Sequence, residues 1–173
     1  MQKKTELITN SDGSIFHLHL LPGDISDKII IVGDPGRVDM LSSLFDEIRV
    51  TKQNREFRTV TGSIQGNEIT VISSGIGTDN IDILLNELDA LVNIDLNTGE
   101  ANEELVSLSL VRLGTSGGIR SDVPAGSFLM AETAIGFDGL IHFYEGYDWL
   151  LDNMLSSVLA EYLEWPDTLA FPY

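Results

Sequence analysis

Short apolar runs, each followed by a glycine-rich turn, are the main feature of the hydrophobic pattern. The runs lie at residues 29–32, 68–73 and 105–113, and the turns lie at residues 33–36, 75–77 and 114–118. Runs of this length that end at glycine predict buried strands. Because ligands bind outside the carboxyl ends of the strands in open α/β sheets, we expect these turns to gather along one functional edge.

Longer segments with apolar residues at helical spacing separate these runs. The stripes at residues 38–48 and 81–92 predict two amphipathic helices. Residues 147–165 predict a third helix, which Pro166 ends.

Two further strands are predicted beside this alternation. Residues 58–65 are expected to form a hairpin with residues 68–73 through a turn at 65–67, and residues 127–133 predict another strand. A hairpin makes the sheet mixed rather than purely parallel. The predicted fold is therefore α/β, with a mixed central sheet and flanking helices.

Two segments are assigned outside this core. Residues 1–25 are interpreted as an N-terminal arm, in which residues 15–20 alternate as a short strand that carries His17. A histidine on such an arm is more often a solvated or packing residue than a functional one. Residues 93–104 are acidic and are interpreted as a surface insertion without an assigned role. Residues 1–173 are expected to form a single α/β domain.

The charge balance restricts the partners of this chain. Among its 173 residues, 27 are acidic and 10 are basic, which gives a net charge of −17. Such a charge repels nucleic acids and anionic membrane surfaces, so neither is expected as a partner. The chain has no cysteine, its first residues lack the apolar core of a signal peptide, and no apolar run reaches membrane-spanning length. A soluble cytoplasmic protein is therefore expected.

The first glycine turn has the composition of an anion-binding loop. Gly33 and Gly36 allow the backbone to approach a ligand closely, and Arg37 adds a planar guanidinium. A strand that ends before a helix also directs backbone N–H groups and the helix dipole to one point. The alternative is an ordinary turn in which glycine and proline only punctuate the chain.

A second cationic feature accompanies the third glycine turn. Arg112 stands near the end of a largely apolar strand, and Thr115 adds a hydroxyl group to the turn. A charge at such a position needs a partner, either an internal carboxylate or a bound anion. The chain has no P-loop pattern and no clean G-x-G-x-x-G sequence, which disfavours a nucleotide hydrolase and a nicotinamide enzyme.

Five segments in order resemble the nucleoside phosphorylase family, and its uridine phosphorylase branch in particular. They are Phe16-His17-Leu18, Gly33-Asp34-Pro35-Gly36-Arg37-Val38, Arg55-Glu56-Phe57, Ser74-Gly75-Ile76-Gly77 and Arg112-Leu113-Gly114-Thr115-Ser116-Gly117. The resemblance covers about residues 16–143 and implies a phosphorylase-like fold. It also implies a pentosyltransferase, which uses inorganic phosphate to cleave uridine or a related nucleoside into free base and ribose 1-phosphate.

The resemblance assigns roles to individual residues. Arg112 and Thr115 match phosphate contacts that take part in catalysis, and Gly33 and Arg37 match the same phosphate pocket. Arg55 matches an arginine that a neighbouring subunit supplies to that pocket.

Other matched residues imply contacts between subunits. His17 matches an arm histidine that reaches the ribose 5′-hydroxyl in the partner's site. Glu56 and Ile76 match ligand positions for a monovalent cation between subunits, whereas Asn80 stands where a serine is usual. The resemblance thus implies a homo-oligomer, a dimer or a hexamer of dimers, with shared active sites. It implies phosphate as co-substrate and no required cofactor.

The resemblance ends before the family's residues that grip the ribose hydroxyls and read the pyrimidine. The chain is therefore expected to be part of a longer domain, incomplete at its C-terminus. Two alternatives stay open: a hydrolytic nucleosidase, which uses water instead of phosphate, and a non-catalytic fragment that binds phosphate or a nucleoside. The arginines Arg37, Arg55 and Arg112 argue against a hydrolase, since water needs no cationic cluster.

Overall fold

The computed structural model describes residues 7–173, which divide after Ser116 into two compact units. The first unit contains the central sheet and two helices. The second unit, Gly117–Tyr173, contains a helix and two 3₁₀ turns. The expectation of one domain over residues 1–173 stays a prediction.

Strands and helices alternate along the first unit. Its elements are β1 (Lys28–Val32), α1 (Pro35–Ser42), β2 (Glu47–Asn54), β3 (Phe57–Ile64), β4 (Asn67–Ser73), α2 (Thr78–Asn93), β5 (Ile94–Asp95), β6 (Glu100–Ala101) and β7 (Ser109–Leu113). The second unit has 3₁₀ turns at Leu140–Phe143 and Asp148–Leu150, followed by α3 (Asn153–Tyr162). None of the helices formed by residues 7–173 is long and apolar enough to cross a membrane.

Parallel pairing brings the three glycine turns to one edge of the sheet. The strand order is β2-β3-β4-β1-β7, and β1 pairs in parallel with β4 and with β7. At the carboxyl end of β1, Val32 pairs with Ser73 of β4 and with Leu113 of β7. Because β3 pairs antiparallel with β2 and β4, the predicted mixed sheet is confirmed.

Each face of the sheet packs against one helix. A core cluster joins α2 to the sheet through Leu84 and Ile31, among others. A second cluster joins α1 to the sheet through Val38 and Val32. Because neighbouring residues of a strand point to opposite faces, Ile31 and Val32 place the two helices on opposite sides. The predicted flanking helices are therefore confirmed.

The hairpin between β3 and β4 is also confirmed. Gln65 and Gly66 form its turn, with φ angles of 51° and 75°. Both residues in the left-handed region give the backbone the twist that a two-residue hairpin requires. The acidic segment 93–104 holds a second, smaller hairpin, in which β5 pairs antiparallel with β6.

The N-terminal segment belongs to the core, which corrects the interpretation of residues 1–25 as an arm outside it. Ile15, Leu18 and Leu20 are fully buried in the same cluster as α2. Three buried branched side chains contribute about 1.5–3 kcal/mol each, so this segment stabilises the unit substantially. Residues 1–6 of the expected arm lie outside the described residues.

The predicted strand at residues 15–20 is wrong, because residues 16–18 form a turn. The buried carboxylate of Glu87 accepts the backbone N–H groups of His17 and Leu18. A strand would have directed these groups to a neighbouring strand, and buried backbone groups take whichever partner the fold supplies. A contact between residues so distant along the chain leaves no periodic signal.

The helix predicted at residues 38–48 is too long. α1 ends at Ser42, and residues 47–54 form β2 at the edge of the sheet. β2 is polar and mostly exposed, so its hydrophobic pattern is weak. Backbone pairing with β3 holds it, and that pairing does not depend on apolar side chains.

Two expectations for the second unit also need correction. The strand predicted at residues 127–133 is wrong, since these residues pair with no strand in the structure. The helix predicted at residues 147–165 is shorter and begins only at Asn153. Asp152 sets that start, because its side chain accepts the N–H of Leu155 as an N-cap.

A close backbone approach at Gly62 provides a stability test. A Cβ atom there would overlap the carbonyl oxygen of Glu47, beside a bulge in β2. We expect Gly62→Ala to lower the free energy of unfolding by about 1–3 kcal/mol, as overpacked cores do. Urea denaturation measures the change. Gly117→Ala is the control, because its Cβ would contact nothing within 4 Å; equal effects of the two substitutions would refute the steric explanation.

Candidate functional site

The turn after β1 is shaped by a side-chain cap. Asp34 Oδ1 accepts the N–H of Gly36 at 2.8 Å, and Pro35 begins α1, where a missing N–H costs nothing. The N–H of Gly75, which follows β4, donates to the carbonyl oxygen of Gly33 at 3.0 Å. The first two glycine turns are therefore bonded to each other at the sheet edge.

A side-chain contact joins the first glycine turn to the third. Arg37 lies in the first turn of α1, and its Nη2 atom donates to Thr115 Oγ1 at 3.3 Å. Arg37 is half-buried and Thr115 is exposed. Two of the predicted site residues, 78 positions apart in sequence, are thus brought together by the parallel pairing of β1 and β7.

Arg112 lies on β7 opposite Ile31, two residues before the turn that holds Thr115. Its Nη1 atom lies 3.1 Å from where a Cβ atom of Gly114 would stand, so the guanidinium folds back over the glycine. Arg112 is exposed, and no carboxylate within residues 7–173 forms an ion pair with it. The internal carboxylate considered as its partner is therefore absent from the described part of the chain.

The residues predicted to hold a cation share one cleft beside the first turn. Glu56, Ile76 and Asn80 line it together with Gly33 and Gly75, and its volume is about 560 Å³. A side chain at Gly75 would collide with Glu56 and Asn80, and Gly75 has a φ of 69°, so this position favours glycine. The cleft therefore depends on the second glycine turn.

A hydrogen bond joins two of the residues predicted to hold a cation. Asn80 Nδ2 donates to Glu56 Oε1 at 2.8 Å, so the amide of Asn80 acts here as a donor to Glu56 and not as an oxygen ligand beside it. Within residues 7–173, no group of three or more histidine or acidic side chains could hold a metal ion. The cation site at Glu56, Ile76 and Asn80 stays a prediction.

Two predicted site residues make no hydrogen bond to Arg37 or Arg112 within the described residues. Arg55 is exposed in the turn between β2 and β3, with a φ of 52°. His17 borders a different cleft of about 340 Å³, whose lining includes none of the residues around Gly33. Within the described residues, neither Arg55 nor His17 is hydrogen-bonded to Arg37 or Arg112. Their assignment to a phosphate or ribose site stays a prediction.

Glu87 is a residue that the sequence analysis missed. It is buried on α2 and accepts hydrogen bonds from three groups of the N-terminal segment. One signal was available, because Glu87 stands next to Leu88 and three residues after Leu84 on the apolar stripe of α2. An acidic residue among buried positions is uncommon unless it has partners.

Comparison with known proteins identifies one family. A sequence model of the Phosphorylase superfamily matches residues 27–165. A uridine phosphorylase from Thermococcus kodakarensis is 33% identical over 128 residues, which cover 74% of this chain and 41% of the relative. A guanosine phosphorylase from Halorubrum lacusprofundi is 32% identical over 133 residues, which cover 77% of this chain and 49% of the relative.

Solved structures agree with these matches. A Trypanosoma brucei nucleoside phosphorylase that shows uridine phosphorylase activity aligns with a TM-score of 0.61 at 38% identity, covering 69% of this chain and 41% of the other. A uridine phosphorylase from Phytophthora capsici aligns with a TM-score of 0.59 at 32% identity, covering 73% of this chain and 40% of the other. The chain spans less than half the length of these relatives.

Proposed function

This chain belongs to the phosphorylase superfamily, and we propose that it carries the phosphate-binding part of a uridine phosphorylase. The observation that supports this most directly is the bond between Arg37 and Thr115, beside an Arg112 without an ion-pair partner. In the proposal these residues and the backbone of Gly33 bind inorganic phosphate. The two guanidinium groups and the backbone N–H can only donate, and the hydroxyl of Thr115, which accepts from Arg37, can donate its own hydrogen, so the group offers the donors that a phosphate dianion requires.

The proposed reaction transfers a ribosyl group from a base to phosphate. A phosphate oxygen attacks C1′ of the ribose while the bond from C1′ to the base nitrogen breaks, and the base departs with the electron pair. The hydrogen phosphate gives up its proton, which reaches the base nitrogen through solvent, so the products are the neutral free base and ribose 1-phosphate. Arg37 and Arg112 would hold phosphate against the sugar, so positioning and electrostatic stabilisation supply most of the rate enhancement.

A hydrolytic nucleosidase is the second candidate in the same fold. It would use water as the nucleophile, and water gains nothing from an arrangement of guanidinium donors. Arg37 lies on a sheet edge of a chain with a net charge of −17, where a retained cation needs an anionic ligand or a carboxylate. Because no carboxylate pairs with Arg37 or Arg112 in residues 7–173, the arrangement favours the phosphorylase.

The remaining site residues suggest an assembly with shared sites. We propose that Arg55 and His17 contribute to the site of a neighbouring subunit in a homo-oligomer. For His17 this is supported by its cleft, which shares no lining residue with the cleft of Gly33. Arg55 is exposed next to Glu56 of the cleft of Gly33 and pairs with no carboxylate in residues 7–173. A cytoplasmic location is part of the same proposal.

The base specificity is proposed from the relatives. Uridine phosphorylases stand among both the sequence relatives and the solved structures, and guanosine and purine nucleoside phosphorylases are also similar. We propose uridine as the substrate, with guanosine as the alternative to include in the assay.

An assay of base release distinguishes the candidate functions. The protein is incubated with uridine or guanosine, with and without phosphate, and the free base is followed by chromatography. We expect uracil release that depends on phosphate. Release without phosphate would indicate a nucleosidase, and no release together with measurable phosphate binding would indicate a binding fragment.

Substitution of Arg112 tests the phosphate site directly. We expect Arg112→Ala to abolish phosphate binding measured by calorimetry, because it removes a charge-assisted donor that has no other partner. Arg49→Ala is a matched control, since Arg49 is an exposed arginine that pairs with Glu68 on the sheet. Equal phosphate affinity in Arg112→Ala and the parent would contradict the site.

A further inference from the structure

Glu87 is a buried carboxylate that the proposed phosphate site does not use. Only 7% of its side chain is exposed, and within residues 7–173 no lysine or arginine forms an ion pair with it. A buried carboxylate is costly unless N–H groups bind it. The backbone N–H groups of His17 and Leu18 do so, at 3.0 Å and 2.8 Å.

The same carboxylate also holds the ring of His17. The Nδ1 atom of His17 lies 2.6 Å from Glu87 Oε1. An ionised carboxylate only accepts hydrogen bonds, so a contact of this length with an ionised Glu87 requires the hydrogen atom on Nδ1. In the neutral ring Nε2 is then an acceptor, because one nitrogen of imidazole donates and the other accepts.

Two further contacts restrict this histidine. The Phe16 ring meets the His17 ring edge to face, with centroids 4.9 Å apart and an interplanar angle of 88°. Asn54 Nδ2 donates to the carbonyl oxygen of His17 at 2.8 Å. The ring and the backbone of His17 are therefore both fixed, which is more than a solvated histidine on a flexible arm requires.

The free part of the ring borders an open cleft. His17 retains 28% side-chain exposure, and within residues 7–173 no group is hydrogen-bonded to its Nε2. Leu7, Ile8 and Ile83 give one side of this cleft an apolar surface. A fixed acceptor beside an apolar surface suits a ligand that has both a hydroxyl group and an apolar ring face.

We propose that Glu87 is a positioning residue, which keeps His17 in its Nδ1-protonated form so that Nε2 accepts a hydrogen bond from a nucleoside hydroxyl group. This inference rests on the proposed function for the identity of the ligand. The hydrogen bond between Glu87 and the His17 ring does not depend on the proposed function.

The protonation of the ring can be measured without any substrate. The chain has three histidines, so ¹⁵N-histidine labelling gives a simple spectrum, in which a His17→Gln variant identifies the signals of His17. With the ring neutral, at alkaline pH, we expect hydrogen on Nδ1 in the parent and a shift towards hydrogen on Nε2 in Glu87→Gln. Hydrogen on Nε2 in the parent, or an unchanged ring in the variant, would overturn the proposal.

The consequence for the ligand is measured by comparing two substrates. The two substrates differ only in the 5′-hydroxyl group, so the ratio of kcat/KM for uridine to kcat/KM for 5′-deoxyuridine measures how much the contact with this hydroxyl group contributes. We expect Glu87→Gln to lower this ratio by about threefold to tenfold, the value of one neutral hydrogen bond. His17→Gln should lower the ratio as much, and the double variant should lower it no further, because both residues act on one contact.

Matched variants separate positioning from folding and from charge. Asp89→Asn makes the same charge change at an exposed site on α2 and should leave the ratio unchanged. If Glu87→Gln does not fold, Glu87→Asp keeps the charge and withdraws the carboxylate, with the same expected fall in the ratio.

An unchanged ratio despite the expected ring spectrum would overturn the proposal. If the parent cleaves neither nucleoside, the proposed function fails, and the ring spectra alone decide whether Glu87 positions His17.

Discussion

Parallel pairing on both sides of β1 is the constraint on which the candidate site depends. Because β4 and β7 run in the same direction as β1, their carboxyl ends meet its carboxyl end, and the glycine turns that follow become neighbours. The bond from Gly75 to Gly33 and the bond from Arg37 to Thr115 both follow from this register. A slip of β7 by one residue would turn Arg112 to the other face and move Thr115 away from Arg37.

The charge of the chain makes the arginines at this edge informative. With a net charge of −17, an arginine on this surface has many carboxylates available as partners, and Arg49, Arg58 and Arg120 each pair with one. Arg37 instead donates to a hydroxyl group and Arg112 has no ion pair in the described residues. Because no carboxylate is bound to these two guanidinium groups, they can bind an external anion with little reorganisation.

The parts of the structure that sequence could predict are those governed by local patterns. The glycine bends after β1 and β4 and the helical stripe of α2 are periodic or compositional signals, and they are present. The buried strand predicted at residues 105–113 is only partly present, because β7 covers Ser109–Leu113 and is exposed, and residues 114–118 after it form no regular turn. Contacts between distant residues set the rest. β2 is held by backbone pairing with β3, and the turn at residues 16–18 is held by Glu87, so neither shows in the hydrophobic pattern. The contact of Arg37 with Thr115 required the register of β7, which no single segment encodes.

The central claim is that the carboxyl ends of β1 and β7 together form one phosphate site. The most direct measurement is a crystal structure of the protein with arsenate in place of phosphate, located by the anomalous scattering of arsenic. We expect one arsenate within hydrogen-bonding distance, about 3 Å, of Arg37, Arg112 and Thr115 and of the backbone N–H groups beside Gly33. An arsenate bound elsewhere, or none at this edge with the Arg37–Thr115 bond intact, would contradict the claim.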